Sequence, residues 1–275
     1  GPEYSRPFNQ IIDEAKSLIK NGTKEIILLG QNVNAYNYNE NDKEFKLSDI
    51  IMELEKIQEL QRIRYTTSHP KDMTEDLINV YKKSFKLMPL VHLPVQSGSN
   101  KILNLMNRKH TIEEYLKIFK RLKKINPKIE FSSDFIIGYP EESDEDFMDT
   151  VKLIEKIKFI NSYSFIFSSR PGTVAGELKL IDKKKSQRRL EIIQKILFDN
   201  QIYKNKLIEK KVVNVLVENI MKDGIKLFGR TEHMTSVIFE GNMRYIGKVV
   251  QVEIISSNRN SLFGKIKEHY DQQVA

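Results

Sequence analysis

Asp134 is the acid whose position most needs explaining. It falls inside the apolar run FSSDFII, 131–137, where a carboxylate is costly unless it is paired or meets a ligand. A sugar hydroxyl or an ammonium would offset its burial, and so would an ion pair with a rim cation such as Arg108. Four other stretches carry clustered amides and hydroxyls: Gly30-Gln31-Asn32-Val33-Asn34, Thr66-Thr67-Ser68-His69-Pro70, Pro94-Val95-Gln96-Ser97-Gly98-Ser99, and Ser168-Ser169-Arg170-Pro171-Gly172-Thr173. With Ser132-Ser133-Asp134 and the following Gly138 they make five polar segments, and five such loops on one rim describe a ligand-binding face. Arg170 suits phosphate or carboxylate. No HExxH, GxGxxG, Walker A or GxSxG pattern occurs, so nothing supports a zinc-protease, dinucleotide, P-loop or α/β-hydrolase reading. His92, inside a strand, reads as a hydrogen-bonded structural histidine. The chain has no cysteine, hence no disulfide, no thiol nucleophile and no thiolate ligand for zinc or an iron–sulfur cluster within these residues.

The elements that must position these loops follow from periodicity. Helical patterns cover 8–21, 47–60, 74–85, 100–106, 111–125 and 143–159, the last with Ser143 as N-cap and acids in its first turn. Apolar β runs cover 25–30, 63–66, 90–93, 130–137 and 163–167. Continuous apolar strands separated by helices imply a parallel sheet covered by helices, either a curved partial barrel or a doubly wound sheet. In both, ligands belong at the carboxyl-terminal ends of the strands, which is where the polar loops fall.

The chain has 275 residues, a net charge of +8, 40% apolar and 30% charged residues. That is a folded, water-soluble composition of one or two domains. No 18-residue apolar window and no amino-terminal apolar segment occur, so neither a membrane span nor a signal peptide is expected, and the cytoplasm is the expected location. The first residues lack an initiator Met, and Gly1-Pro2 reads either as a processing scar or as native sequence. Residues 1–178 balance 26 basic against 26 acidic residues, whereas 179–211 hold 11 against 4. A concentrated basic segment is the footprint of a phosphate-backbone binder, or else a solvated helix face. Lys183, Lys184, Lys185, Arg188 and Arg189 lie on this helical segment, 182–210. Beyond it, strand-like runs at 212–217, 225–230, 237–240, 249–255 and 261–266, with a hairpin signal at Asp223-Gly224, read as a small β-barrel of OB type. There Phe228 and Arg230 are the candidate RNA contacts.

The loops also carry a resemblance. LLGQNVNAY (28–36), RIRYTTSHP (62–70), HLPVQSGS (92–99), SSDFIIGYP (132–140) and SYSFIFSSRPGT (162–173) closely resemble the MiaB-type tRNA methylthiotransferases. The branches acting on threonylcarbamoyladenosine or on a ribosomal protein differ in the GQNVNAY and TTSHP positions. The resemblance implies a radical S-adenosylmethionine enzyme that adds a methylthio group to C2 of N6-isopentenyladenosine beside the anticodon. It implies an α/β fold: a partial (βα) barrel over 1–178 lacking its first strand, a basic linker helix over 179–208, and an all-β, OB-like TRAM domain over 209–272. By resemblance, S-adenosylmethionine meets Gly30, Gln31 and Asn32 through its amino group and Gln96 and Ser97 through its ribose. Ser133, Asp134 and Gly138 stand beside the adenine or the reacting centre, and Arg108 joins the same set. A zwitterion with a ribose calls for neutral donors and acceptors with one acid. Arg170, the basic helix and the TRAM residues face the tRNA anticodon stem-loop.

Two departures qualify this. The family holds two [4Fe-4S] clusters through six cysteines that this chain lacks, so the resemblance implies that the chain by itself is inactive. The thiolates would come from an amino-terminal half, joined or separately encoded, pairing along 25–30. A decayed reading frame keeping only RNA binding is the other reading. The second departure is Gly138-Tyr139-Pro140-Glu141-Glu142, where the family usually has Gly-Phe-Pro-Gly-Glu. The missing glycine is expected to alter that turn.

Overall fold

The computed structural model describes residues 4–267. Gly1-Pro2, His269 and the end of the expected TRAM segment, 268–272, lie outside them. The chain divides into two compact units, 1–200 and 201–275.

The first unit opens with α1 (Phe8–Lys20), whose Ile12, Ala15 and Ile19 share one buried face, as a 3.6-residue period requires. β1 (Glu25–Leu28) follows, then two strands that the β patterning misses, β2 (Asn37–Glu40) and β3 (Lys43–Lys46). These form an antiparallel hairpin around Asn41-Asp42, both at positive φ, the geometry of a two-residue hairpin turn, in which Asn and Asp replace the usual glycine. Next come α2 (Leu47–Glu55), β4 (Arg62–Tyr65), α3 (Glu75–Lys83), β5 (Leu90–His92), α4 (Asn100–Leu105) and α5 (Ile112–Ile125). The expected strand over 130–137 is two strands, β6 (Glu130–Ser132) and β7 (Asp134–Ile137), broken at Ser133. The break has a cause: β6 pairs with β5 whereas β7 pairs with β8 (Tyr163–Ile166). Between them α6 (Asp144–Ile157) is capped by Ser143, whose hydroxyl accepts the Asp146 N–H.

All the pairs β1·β4, β5·β6 and β7·β8 are parallel, and parallel bridges Ile63↔Leu87 and Gln96↔Phe135 link them. Ile26, Ile63, Phe131, Phe135 and Ile137 are buried in one hydrophobic core with the helices. Alternation therefore turns Ile27, Asp134 and Ile136 to the opposite face, together with Tyr163 and Phe165, their neighbours in register. The loop after β5 is held tightly. Gly98 runs so close to α6 that a Cβ there would strike the backbone of Asp149 and Thr150, and its N–H donates to Thr150 Oγ1 at 2.8 Å.

α7 (Lys183–Lys206) passes from the first unit into the second. The second unit then holds β9 (Val212–Ile220), β10 (Lys226–Arg230), β11 (Ser236–Glu240), β12 (Val249–Ser257) and β13 (Ser261–Ile266), closed in the order β10-β11-β13-β12-β9. Val215, Val217, Leu227, Val237, Phe239, Val252, Ile254 and Leu262 fill its core. Closure leaves no sheet edge to solvent. The expected hairpin at Asp223-Gly224 is present: Gly224 has φ 70° and the Asp223 carboxylate accepts the N–H groups of Ile225 and Lys226.

Candidate functional site

The loops after β1 and β4 are fastened to one another. Val33 N–H donates to the Thr67 carbonyl at 2.9 Å, and the Asn34 amide bridges both backbone groups of His69 at 2.8 and 2.9 Å. Asn32 Nδ2 donates to Asp72 at 2.7 Å, while Asn32 Oδ1 is buried with no partner. Gly30, Gln31 and Asn32, with Ile27 and Leu29, line a cavity of 740 Å³ along β1.

The loop after β5 meets β7. Gln96, at φ 72°, donates its N–H to the Asp134 carbonyl, and its own carbonyl accepts from Ile136. Asp134 is half-buried, and the side chain beside its carboxylate is not Arg108. Its carboxylate lies 3.6 Å from His92 Nε2, whose Nδ1 meets Ser132 Oγ at 2.8 Å. The structural reading of His92 thus holds, with a carboxylate as its neighbour. Three other expected cofactor contacts are engaged in holding the fold. Ser97 is fully buried against Thr150, Ser133 Oγ accepts the Val95 N–H, and Gly138 donates to Glu142 at a place where a Cβ would strike Ser186. The missing family glycine does not abolish the next turn. Glu141 adopts φ 66° in its place, a conformation that costs a side-chain-bearing residue about 1 kcal/mol.

Arg108 is half-buried beside two histidines that the sequence patterns do not single out as a pair. The rings of His69 and His110 pack edge to face with centroids 5.4 Å apart. Burial, reinforced by the neighbouring His69, pushes His110 down to about 4; burial and then Arg108 lower His69. Both are neutral imidazoles at pH 7.

The basic helix divides. Lys183, Lys184 and Arg188 are exposed and form no ion pair among the described residues. Arg189 departs from the expected phosphate-binding role. It is 3% exposed and donates to Glu142 and Asp144, each at 2.6 Å, with its guanidinium 5.2 Å from the Phe147 ring. Helical periodicity explains this, since position 189 shares its face with buried Ser186 and Ile193. Lys185 also reaches Asp144, but from an exposed position. Arg170 is exposed, in a turn closed by Thr173. In the barrel, Arg230 pairs with Glu218 at 3.2 Å and stands over Phe228.

Residues 1–154, more than half of the chain, match the family model of the radical SAM superfamily, and residues 207–267 match that of the TRAM domain. This chain belongs to the radical SAM superfamily. Over all 275 residues it is 74% identical to the tRNA-2-methylthio-N(6)-dimethylallyladenosine synthase of Pelagibacter ubique, covering 62% of that protein. It is 48% identical over 267 residues to the protein of the same name from Wolbachia pipientis of Culex pipiens, covering 61% of it. The chain thus spans about three fifths of the length of these relatives. A solved structure, Streptococcus suis SuiB bound to S-adenosylmethionine, superposes with a TM-score of 0.48 at 14% identity over 73% of this chain and 43% of that one.

Radical SAM enzymes use S-adenosylmethionine and an iron–sulfur cluster. The residues of this radical SAM chain do not fit the cluster: there is no thiolate, and no group of three or more possible ligands comes together among the described residues. They fit the organic cofactor better, because the buried, unpartnered Asn32 Oδ1 is an acceptor awaiting a donor. No helix among the described residues is long and apolar enough to cross a membrane.

Proposed function

We propose that this chain is the barrel and TRAM portion of a tRNA methylthiotransferase that modifies C2 of N6-isopentenyladenosine beside the anticodon. The observation that carries the reading is the 74% identity to a curated synthase across the whole chain. When bound, S-adenosylmethionine supplies the radical-generating and methyl-donating chemistry. Gly30, Gln31 and Asn32 receive its amino group, with Asn32 Oδ1 as acceptor. Gln96 faces its ribose, and Asp134, oriented by His92, accepts from a hydroxyl or amine. Lys183, Lys184 and Arg188, and separately Phe228 and Arg230 of the TRAM domain, contact the phosphates and bases of the anticodon stem-loop, with Arg170 on the barrel rim. The reaction runs in the cytoplasm, where tRNA is.

The cysteines come from a part of the protein outside these 275 residues or from a second polypeptide, and the chain alone turns nothing over. The cavity along β1 supports this, since β1 pairs only with β4 among the described residues and Ile27 and Leu29 are exposed there. In a strain lacking the modification, the full-length protein containing this chain restores the methylthio mark, read by mass spectrometry of tRNA nucleosides. Asp134→Ala abolishes that restoration; an unchanged mark removes Asp134 from the site. The total lack of cysteine favours one alternative, a product that only binds RNA. A native mass near 32 kDa in the source cell, with no cluster-bearing partner, would establish it.

A further inference from the structure

We propose that Tyr163 and Phe165 form an open slot that holds one nucleobase of the RNA strand. The inference rests on the tRNA reading above and deepens it by naming the side chains that grip a base.

The slot follows from the period of a strand. Tyr163 and Phe165 are two residues apart on β8, so both stand on the same face of the sheet, and a two-residue step is about 6.6 Å. Their rings are stacked within 17° of parallel, with centroids 6.5 Å apart. Carbon atoms in contact lie about 3.5 Å apart, so this spacing is close to twice a contact. It is too wide for the two rings to touch face to face and near the width that one flat ring fills between them. A contrast lies in the same unit: Phe8 and Phe45 are also stacked, and they close to 4.4 Å.

The rings are also uncovered. Their chain neighbours Ser164 and Ile166 are half-buried, whereas Tyr163 and Phe165 are 62% and 56% exposed. Two large apolar rings side by side in water make a surface that suits a ligand. β8 pairs only with β7 among the described residues, so the slot stands at a free edge of the sheet.

The surroundings select the occupant. Asp134 is the register partner of Tyr163, and its half-buried carboxylate is an acceptor for an N–H on the edge of a base. Arg170, on the loop that leaves β8, is exposed and suits a flanking phosphate. A flat ring, an N–H edge and an anion together describe a nucleotide. The adenine of the sulfonium cofactor shares the first two but not the position. Gly30, Gln31, Asn32 and Gln96 follow the carboxyl ends of β1 and β5, whereas Asp134 and Tyr163 are the first residues of β7 and β8, a strand length before that rim. A slot at an open edge also suits a base delivered by a polymer, whose backbone stays outside.

The test is a cycle between side chain and base. The 275-residue chain and its variants are titrated against two labelled anticodon stem-loops by fluorescence anisotropy, one with N6-isopentenyladenosine beside the anticodon and one abasic there. Tyr163→Ala and Phe165→Ala are each expected to weaken binding of the first loop about tenfold, the scale of one base stacked on an aromatic ring. The abasic loop loses a similar factor with the parent chain, and neither substitution weakens it further. Tyr163→Phe and Phe165→Tyr, which keep both rings, retain the parent affinity. Equal affinity of the parent and both alanine variants for the first loop overturns the slot. So does an equal loss on both loops, which would record a disturbed surface and not a held base. If S-adenosylmethionine binding in equilibrium dialysis weakens in the alanine variants while stem-loop binding is unchanged, the rings hold the cofactor and the proposal is overturned. If the paired change Lys183→Ala/Lys184→Ala weakens binding where the alanine variants do not, the slot alone fails. A parent chain that binds neither loop removes the tRNA reading, and the RNA base with it.

Discussion

Arg108 and Arg189 both meet loops that follow parallel strands, yet their surroundings are opposite. Arg189 is enclosed by Glu142 and Asp144, and the loop Gly138–Glu142 is folded around that pair. Arg108 has two histidines for neighbours and forms no ion pair among the described residues, the acids Asp72 and Glu114 acting on the histidines instead. In one, a cation closes a structure; in the other, a cation leaves it open. A basic side chain is a candidate for ligand binding when the fold gives it no counter-ion, wherever it falls along a charged run.

The comparison breaks most easily at Glu142. Glu142→Ala removes the buried partner of the Arg189 guanidinium and leaves it only the exposed Asp144 carboxylate, and roughly 3 kcal/mol of stability, the low end for a broken buried pair, is expected to go. Urea unfolding checks this, and a loss below about 1 kcal/mol would mean that Arg189 is not closed in. Replacing both partners by apolar residues, Glu142→Leu with Arg189→Met, is expected to recover most of the loss.

Asp146 tests the same loop through pH. Burial would raise its pKa, but hydrogen bonds from Ser99 and Ser143 and the Lys101 ammonium outweigh that and hold it well below the usual carboxylate range. Its stabilisation is therefore complete above the unfolded value near pH 4 and is lost as pH falls through the folded value. Asp146→Asn is expected to cost roughly 1.5–3 kcal/mol at pH 7. The gap between variant and parent should narrow steadily in denaturation series carried down to pH 2. A constant gap would remove the carboxylate charge from the account.

Smaller effects sharpen the contrast. Glu141→Gly relieves the left-handed backbone and is expected to stabilise the protein by about 1 kcal/mol, measured as a rise in melting temperature. Arg108→Ala, in contrast to Glu142→Ala, is expected to change stability by no more than about 0.5 kcal/mol. A large loss there would make Arg108 a structural residue like Arg189.

The fold was legible wherever one periodicity ran for a whole element. The parallel strands, the long basic helix and the five barrel strands stand where their patterns put them, because burial on one face writes a regular spacing into the chain. The hairpin of β2 and β3 was not, since Asn37–Lys46 is polar on both faces and only Tyr38 and Phe45 pack. The signal that finds it is Asn41-Asp42, two residues tolerant of positive φ in succession. The division of 130–137 was hidden because Ser133 interrupts a run without breaking its composition. At the site, spacing located the loops but could not aim the side chains within them. Asp134 has His92 beside it and not Arg108, Ser97 and Ser133 turn inward, and Arg189 is buried by a helical phase that its basic neighbours mask. His69, Arg108 and His110 come together from positions some 40 apart, and no local pattern joins them.

Gly98 carries one more lesson. Its missing side chain is what lets the loop after β5 lie on the backbone of α6, so no larger residue can be introduced there without moving the Gln96 segment that meets Asp134. In a scan of every single substitution, position 98 would be as empty of survivors as a catalytic position. What it would record is the thickness of a methyl group between a loop and a helix.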